Sequence, residues 1–500
     1  MTEKDARPFK VAIIGSGFGG LGMAYSLKQA GIDHIAMFEK AADLGGTWRE
    51  NTYPGCGCDV PSHFYSYSFE PHYPWAWRYA KQSEILAYQH HVAKKYDLDR
   101  HIRYGREVTQ AAFDDARALW TLTFKDGDTV EAESVVSAVG QLHQPAYPNI
   151  PGREKFQGKT FHSANWDHTY ALEGKTVAVI GTGASAVQFV PEIVKRVKSL
   201  KLFQRSPGWT FPKVEKQFSR FERWLLDTVP FIHDLDRLRI FLVCEVLAAA
   251  YNGNRLLAGL VTSISKLQLW WQVRDPVLRK KLKPDFPIGC KRILLTNAWL
   301  PALAAPVTEV VDDAVAEITE TGVRTADGRL REVDAIIYGT GFKATQFLTP
   351  MTVRGLGGKD LHQTWQQGAE AYLGMAISGF PNFYVLYGPN TNVGSGSIIY
   401  MLERQQRYLA QLIAERQRQG VAYADLRIDA QIVYAREMQQ RSEGTTYTGD
   451  CQSWYKTADG RNTNNWVGSM IEFARRTRAP EFAHYRFVPH EAVGALSRAA

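Results

Sequence analysis

The sequence predicts an α/β protein with two dinucleotide-binding, Rossmann-like domains and a helical insertion in the second. Two glycine-rich turns carry the prediction. Val11-Ala-Ile-Ile-Gly15-Ser-Gly17-Phe-Gly-Gly20 is an apolar run entering a turn, and Val177-Ala-Val-Ile-Gly181-Thr-Gly183-Ala-Ser185-Ala186 repeats it. A helix-like stretch and a second apolar run follow each turn, which is the setting such a fingerprint needs. The two units then end differently, on Glu39 and on Arg205 followed by Ser206.

The chemistry of those endings separates two ligands. The glycines permit a tight turn and close approach to a pyrophosphate, which the helix N-terminus stabilises. An acid after the second strand accepts a hydrogen bond from a ribose 2′-hydroxyl, whereas a base pairs with a 2′-phosphate. Gly15, Gly17, Gly20 and Glu39 are therefore expected to hold an unphosphorylated dinucleotide such as FAD. Gly181, Gly183, Ser185, Ala186, Arg205 and Ser206 are expected to hold NADP(H). A chain that joins a flavin to a hydride donor reads as a redox enzyme.

Between and beyond the fingerprints the chain reads in order. Residues 41–80 are irregular and aromatic, from Trp48 to Tyr79, as loop packing or as a wall around a flat ring. Residues 118–139 suggest a hairpin turning at Lys125-Asp-Gly-Asp128. Pro145, Pro148, Pro151 and Gly152 mark a crossing between domains. Residues 213–285 are helix-like and basic, an insertion that could serve as a lid, with Ile240–Tyr251 expected as a buried helix. Residues 333–345 repeat the strand-then-glycine pattern and suggest a return to the first domain. The expected division is 1–145 for the first part of the FAD domain, 146–330 for the NADP domain, and 331–500 for the second part of the FAD domain.

Composition narrows the classes. Fifty-nine Lys and Arg against 51 Asp and Glu give +8, but the basic residues are scattered, which suits cofactor phosphates and solubility better than nucleic acid. Five cysteines in 500 residues argue against a disulfide framework, and Cys56 and Cys58 lack the spacing of a redox pair or zinc knuckle. Unpaired thiols in a reducing, cytoplasmic compartment are expected, with no metal site. No secretory signal is read in the polar residues 1–10. Ile240–Tyr251 is too short to span a bilayer and carries Glu245; contact with a membrane surface stays open.

Two longer motifs add a resemblance. Phe156-Gln-Gly158-Lys-Thr-Phe-His162-Ser-Ala-Asn-Trp166-Asp167 resembles the FxGxxxHxxxWD signature of type I Baeyer–Villiger monooxygenases, and Gly46-Thr-Trp48-Arg-Glu-Asn-Thr-Tyr53-Pro-Gly-Cys-Gly-Cys-Asp59 resembles that family's GxWxxxxYPGxxxD block. With two fingerprints in the family's order, the resemblance covers almost the whole chain. It implies NADPH- and O₂-dependent insertion of an oxygen atom beside a ketone carbonyl by way of a flavin C4a-peroxide. Gly46, Trp48, Tyr53 and Asp59 are then expected beside the flavin. Phe156, Gly158, His162, Trp166 and Asp167 are expected to link the domains and couple NADP position to flavin position.

That reaction needs an anionic peroxide, which a fixed cation favours. The resemblance places this cation at Arg292, held by Asp59, and sends Lys291 to the NADP 2′-phosphate with Arg205. Arginine suits the task because it stays charged and offers a planar fork to oxygen acceptors. Cys451-Gln-Ser453-Trp454-Tyr455 resembles the family's late loop, with Trp454 at the nicotinamide-side ribose and a mobile segment expected at about 451–466. The alternative within flavin chemistry is an oxygenase making N- or S-oxides. Outside it stand a flavin disulfide reductase, which would need a redox cysteine pair, and a nucleotide-binding module without catalysis.

Overall fold

The structure is a computed structural model and describes residues 7–493 except 450, 452, 454 and 458. Its centre is a pair of five-stranded parallel sheets. The first runs in the order Phe383–Val385, Val135–Ser137, Val11–Ile14, Ile35–Phe38, Ile102–Arg103. The second runs Thr308–Val311, Ser199–Phe203, Thr176–Ile180, Ala335–Tyr338, Lys159–His162. Val11–Ile14 and Ile35–Phe38 are buried along their whole length, which explains why they read as unbroken apolar runs rather than alternating ones.

Each fingerprint strand lies where its sheet reverses strand order. Val11–Ile14 has its successor Ile35–Phe38 on one side and Val135–Ser137 on the other, and Thr176–Ile180 sits likewise between Ser199–Phe203 and Ala335–Tyr338. Ligands bind at the carboxyl ends of the strands at such switch points. The helix Phe18–Gln29 packs against the long helix Ile398–Arg418, and Gly22 permits it: a Cβ there would lie 2.4 Å from Gln406 Oε1.

The hairpin forms as Leu119–Phe124 against Thr129–Ala132, but the apolar run beyond it leaves the hairpin and enters the first sheet as Val135–Ser137. The strand Ala335–Tyr338 stays in the second sheet. The return to the first sheet therefore begins after Tyr338, later than residue 331, because the strand-then-glycine pattern fits either parallel sheet equally well.

The insertion is helical: Arg220–Thr228, Pro230–Tyr251, Arg255–Gln272 and Pro276–Lys281. Its boundaries follow from local chemistry. Ser219 and Glu222 form a capping box, Asn254 accepts from Leu257 N–H, and Asp275 caps a helix that starts on Pro276. Thr210–Phe211 and Leu294–Leu295 pair at its base. The expectation of a buried helix at 240–251 needs correction. Ile240, Cys244 and Ala248 are buried, whereas Leu242, Val243 and Val246 are half exposed. The helix is half buried and apolar on its exposed face as well, which apolar density alone does not reveal. No single helix among the described residues is long and apolar enough to cross a membrane.

The cysteine expectation also needs correction. Cys290 and Cys451 form a disulfide across 161 residues, while Cys56, Cys58 and Cys244 are free and buried. A low cysteine count disfavours a framework of bridges but does not forbid one long-range pair.

Candidate active site

A single cavity of about 1790 Å³ runs between the two fingerprints, lined by Gly15–Gly19 and Glu39 on one side and by Gly181–Ser185, Arg205 and Ser206 on the other. It exceeds the ~300–1,000 Å³ of an ordinary small-molecule pocket, as a site for two dinucleotides must.

On the first side the backbone itself makes the cradle. Gly15 turns at φ +100°, and a Cβ there would come within 2.9 Å of Ala138 O. Gly20 comes still closer to Gly15 O, where a Cβ would sit 2.0 Å away. Gly17 and Gly46 pack against each other, and a Cβ on Gly46 would come within 3.3 Å of Gly17 Cα. Glu39 is buried behind Ile35–Phe38, and its carboxylate accepts from Ser16 N–H at 3.0 Å, Ser16 Oγ at 2.8 Å and Ala41 N–H at 3.0 Å. It is held at the cavity wall as a hydrogen-bond acceptor, the arrangement a ribose hydroxyl requires.

The second side is cationic. Arg205 follows the strand Ser199–Phe203 and is exposed toward the cavity, with no ion pair among the described residues. Lys291 Nζ donates to Ser206 Oγ at 2.6 Å. Burial and the neighbouring Arg205 both lower the Lys291 pKa. Two cations and a hydroxyl thus converge beside Gly181, whose φ of +104° brings its turn against Gly339. Ser185 lines the cavity, whereas Ala186 lies beneath it in the core. The donor set fits a 2′-phosphate.

The two sides meet at Asp59. Arg292 Nη2 lies 3.8 Å from Asp59 Oδ2, and Lys213 Nζ lies 3.5 Å from Oδ1. The Arg292 side chain is 41% exposed and lines the cavity. Enclosure opposes the guanidinium charge, but Asp59, Tyr455 and Tyr387 outweigh it and hold the Arg292 pKa above its ordinary value. Cys56 and Cys58, buried beside Asp59, are pushed up to about 12, so they stay neutral thiols.

Trp48 and Tyr53 also line the cavity, with Tyr65 and Tyr79. The remaining aromatics divide. Phe64, Tyr67 and Trp75 are core residues packed among the helices, so the wall accounts for only part of that segment. The long signature motif lies outside the cavity lining. His162 ends an edge strand of the second sheet, fully buried against Tyr147 and Phe342, and burial pulls it down to about 4. Trp166 packs between Phe161 and Phe189. Asp167 pairs with Lys159 at 2.5 Å and accepts from Thr169. Phe156 packs at the edge of a small core cluster, and Gly158 brings the chain against Asp334 O. Trp454 lies outside the described residues. The polar segment expected to be mobile is anchored at its end: Asn462 to Asn465 are buried, and Asn392 Nδ2 donates to Asn465 Oδ1 at 2.6 Å.

Two residues escaped sequence reasoning. Gln188, on the second fingerprint's helix, accepts from Tyr53 Oη at 2.9 Å and donates to Gly57 O at 2.9 Å. Gly55 allows that approach, since a Cβ there would meet Gln188 O at 2.6 Å. Lys213, at the start of the insertion, donates to Cys58 O at 3.1 Å. Neither sits in a local motif that would have marked it.

Fold and site together define an oxidoreductase-like chain with two dinucleotide sites opening on one cavity. A pyridine nucleotide-disulphide oxidoreductase family model matches residues 12–225. A Baeyer-Villiger monooxygenase of Streptomyces coelicolor is 44% identical, with 95% of this chain and 92% of that protein covered. Among solved structures, an oxidized steroid monooxygenase bound to NADP superposes with a TM-score of 0.86 at 28% identity, covering 96% of this chain and 100% of that one. OTEMO in complex with FAD and NADP gives 0.85 at 26% identity, covering 96% and 99%. The chain belongs to the Baeyer–Villiger monooxygenase family.

Proposed function

We propose that this chain converts a ketone, O₂, NADPH and a proton to an ester or lactone, NADP⁺ and water. The observation that carries the reading is Arg292, a guanidinium kept charged inside the cavity and paired with Asp59. The Gly15–Gly20 turn, Glu39 and the Gly46–Asp59 block would hold FAD, which when bound and reduced would supply the activation of O₂. Arg205, Ser206 and Lys291 take the NADP 2′-phosphate, and the turn from Gly181 takes its pyrophosphate. Arg292 donates N–H groups to the negative charge that develops on the ketone oxygen, and Asp59 holds its fork in place.

Lys213 and Gln188 keep Asp59 oriented from the other side. The neutral thiols Cys56 and Cys58 offer no nucleophile competing for the substrate. The division into FAD and NADP domains belongs to the same proposal, with Lys159–His162 at the edge of the second sheet. So does a cytoplasmic site of action, where NADPH is regenerated.

The test is turnover of a ketone panel with NADPH and O₂. Ester in step with NADPH consumption is expected. NADPH oxidation that yields only hydrogen peroxide with every ketone contradicts the proposal.

A further inference from the structure

The chain exposes a broad apolar region on its helical insertion. Among the described residues, sixteen of the twenty-four exposed large apolar side chains fall between Val214 and Val277. On the helix Pro230–Tyr251 they recur at Phe231, Leu235, Leu238 and Leu242. On Arg255–Gln272 they recur at Leu256, Leu260, Leu267 and Trp271. Spacings of three, four and seven put each set on one helical stripe. Leu256 is 87% exposed and Trp271 75%. Monomeric soluble proteins seldom expose contiguous apolar surface beyond a few hundred Å², so these stripes call for an occupant.

Charge identifies it. Residues 213–285 hold thirteen Lys and Arg against eight Asp and Glu, an excess of five out of the chain's eight. Arg220, Arg255, Lys266 and Arg274 are exposed and form no ion pair among the described residues. The region also opens into the cavity. Val243 is half exposed and, with Leu247 and Val261 of the same two helices, lines the space that Arg292 faces.

We propose that this face seats on an anionic lipid surface and that apolar substrate enters the cavity from the bilayer, past Val243. Apolar stripes carrying tryptophan and bordered by cations are the pattern of helices that lie in a membrane interface. The two helices bend by 102° at their break, and neither alone is long and apolar enough to cross a membrane; the exposed cations along both helices favour lying at the interface over a broken span. A second copy of the chain fits less well, because a two-fold contact would set this cationic region against itself. The entry route rests on the ketone reading, whereas the seating does not.

The test is cosedimentation of the holoenzyme with vesicles of phosphatidylcholine, with and without phosphatidylglycerol. The bound fraction is expected to be about tenfold higher on the anionic vesicles and to fall with salt. A Leu267→Glu/Trp271→Glu variant is expected to lose binding while keeping its FAD absorbance and its NADPH oxidation rate. Absence of binding to either vesicle overturns the proposal, as does binding unchanged in the variant. Concentration-dependent dimerisation abolished by the variant, without vesicle binding, overturns it in favour of a second copy.

Discussion

Tyr53 donates its hydroxyl to Gln188 Oε1 at 2.9 Å, and that bond fastens the block beside the first fingerprint to the helix of the second. The same amide also donates to Gly57 O and reaches Asp59. One glutamine therefore fixes the spacing between the two dinucleotide sites and the orientation of the acid that faces Arg292.

Replacing it tests that link. Gln188→Leu removes the partner of the Tyr53 hydroxyl and of Gly57 O, at about 0.5–1.5 kcal/mol for each bond lost. A lower unfolding temperature is expected, together with slower reduction by NADPH at unchanged FAD content. Unaltered reduction kinetics would place the link outside the coupling of the sites.

Arg292→Ala removes the only proposed cation facing the developing charge. Loss of one such donor costs about 10²–10³ in rate. Ester formation should fall by that factor while NADPH still reduces the flavin, and Arg292→Lys should recover part of it, since a lysine lacks the planar fork. The measurement is product yield beside stopped-flow reduction.

The cationic side predicts cofactor preference. Arg205→Ala or Lys291→Ala removes a charge-assisted contact to a phosphate, worth about 1.5–3 kcal/mol, so KM for NADPH should rise roughly ten- to a hundredfold with little change for NADH. The lowered pKa of Lys291 adds a sign. Its charge is present below that pKa and lost above it, so NADPH affinity should weaken on the alkaline side earlier than an ordinary lysine would allow.

His162 gives a stability prediction. Its folded pKa is about 4, held there by burial, against an ordinary value of 6.5. The unfolded chain therefore binds more protons between those values. Stability is fully present above pH 6.5 and falls as the pH drops toward 4, by about 3 kcal/mol. Denaturant midpoints across that window should show the loss, and His162→Phe should reduce it.

Much of the fold, and the placement of both glycine turns, Glu39 and Arg205 at one cavity, was legible because the signals were local. A strand, a glycine turn, a helix and an acid or base at fixed distance lie within about thirty residues, where backbone sterics dictate the outcome. Gln188 and Lys213 act across 131 and 155 residues, a distance over which no spacing rule operates. The same limit hid the bond between Cys290 and Cys451. The exposed stripes of the insertion were concealed differently: apolar residues at helical spacing read as a buried face, whereas Leu235, Leu238 and Leu242 keep that spacing and face outward.

The most direct measurement is mass spectrometry of a ketone turned over with NADPH under isotopically heavy O₂. One heavy oxygen atom in each ester molecule is predicted, with the ester nearly absent in Arg292→Ala although its flavin is still reduced. NADPH consumed without labelled ester, or ester at the parent rate from the variant, would contradict the role given to Arg292 and Asp59.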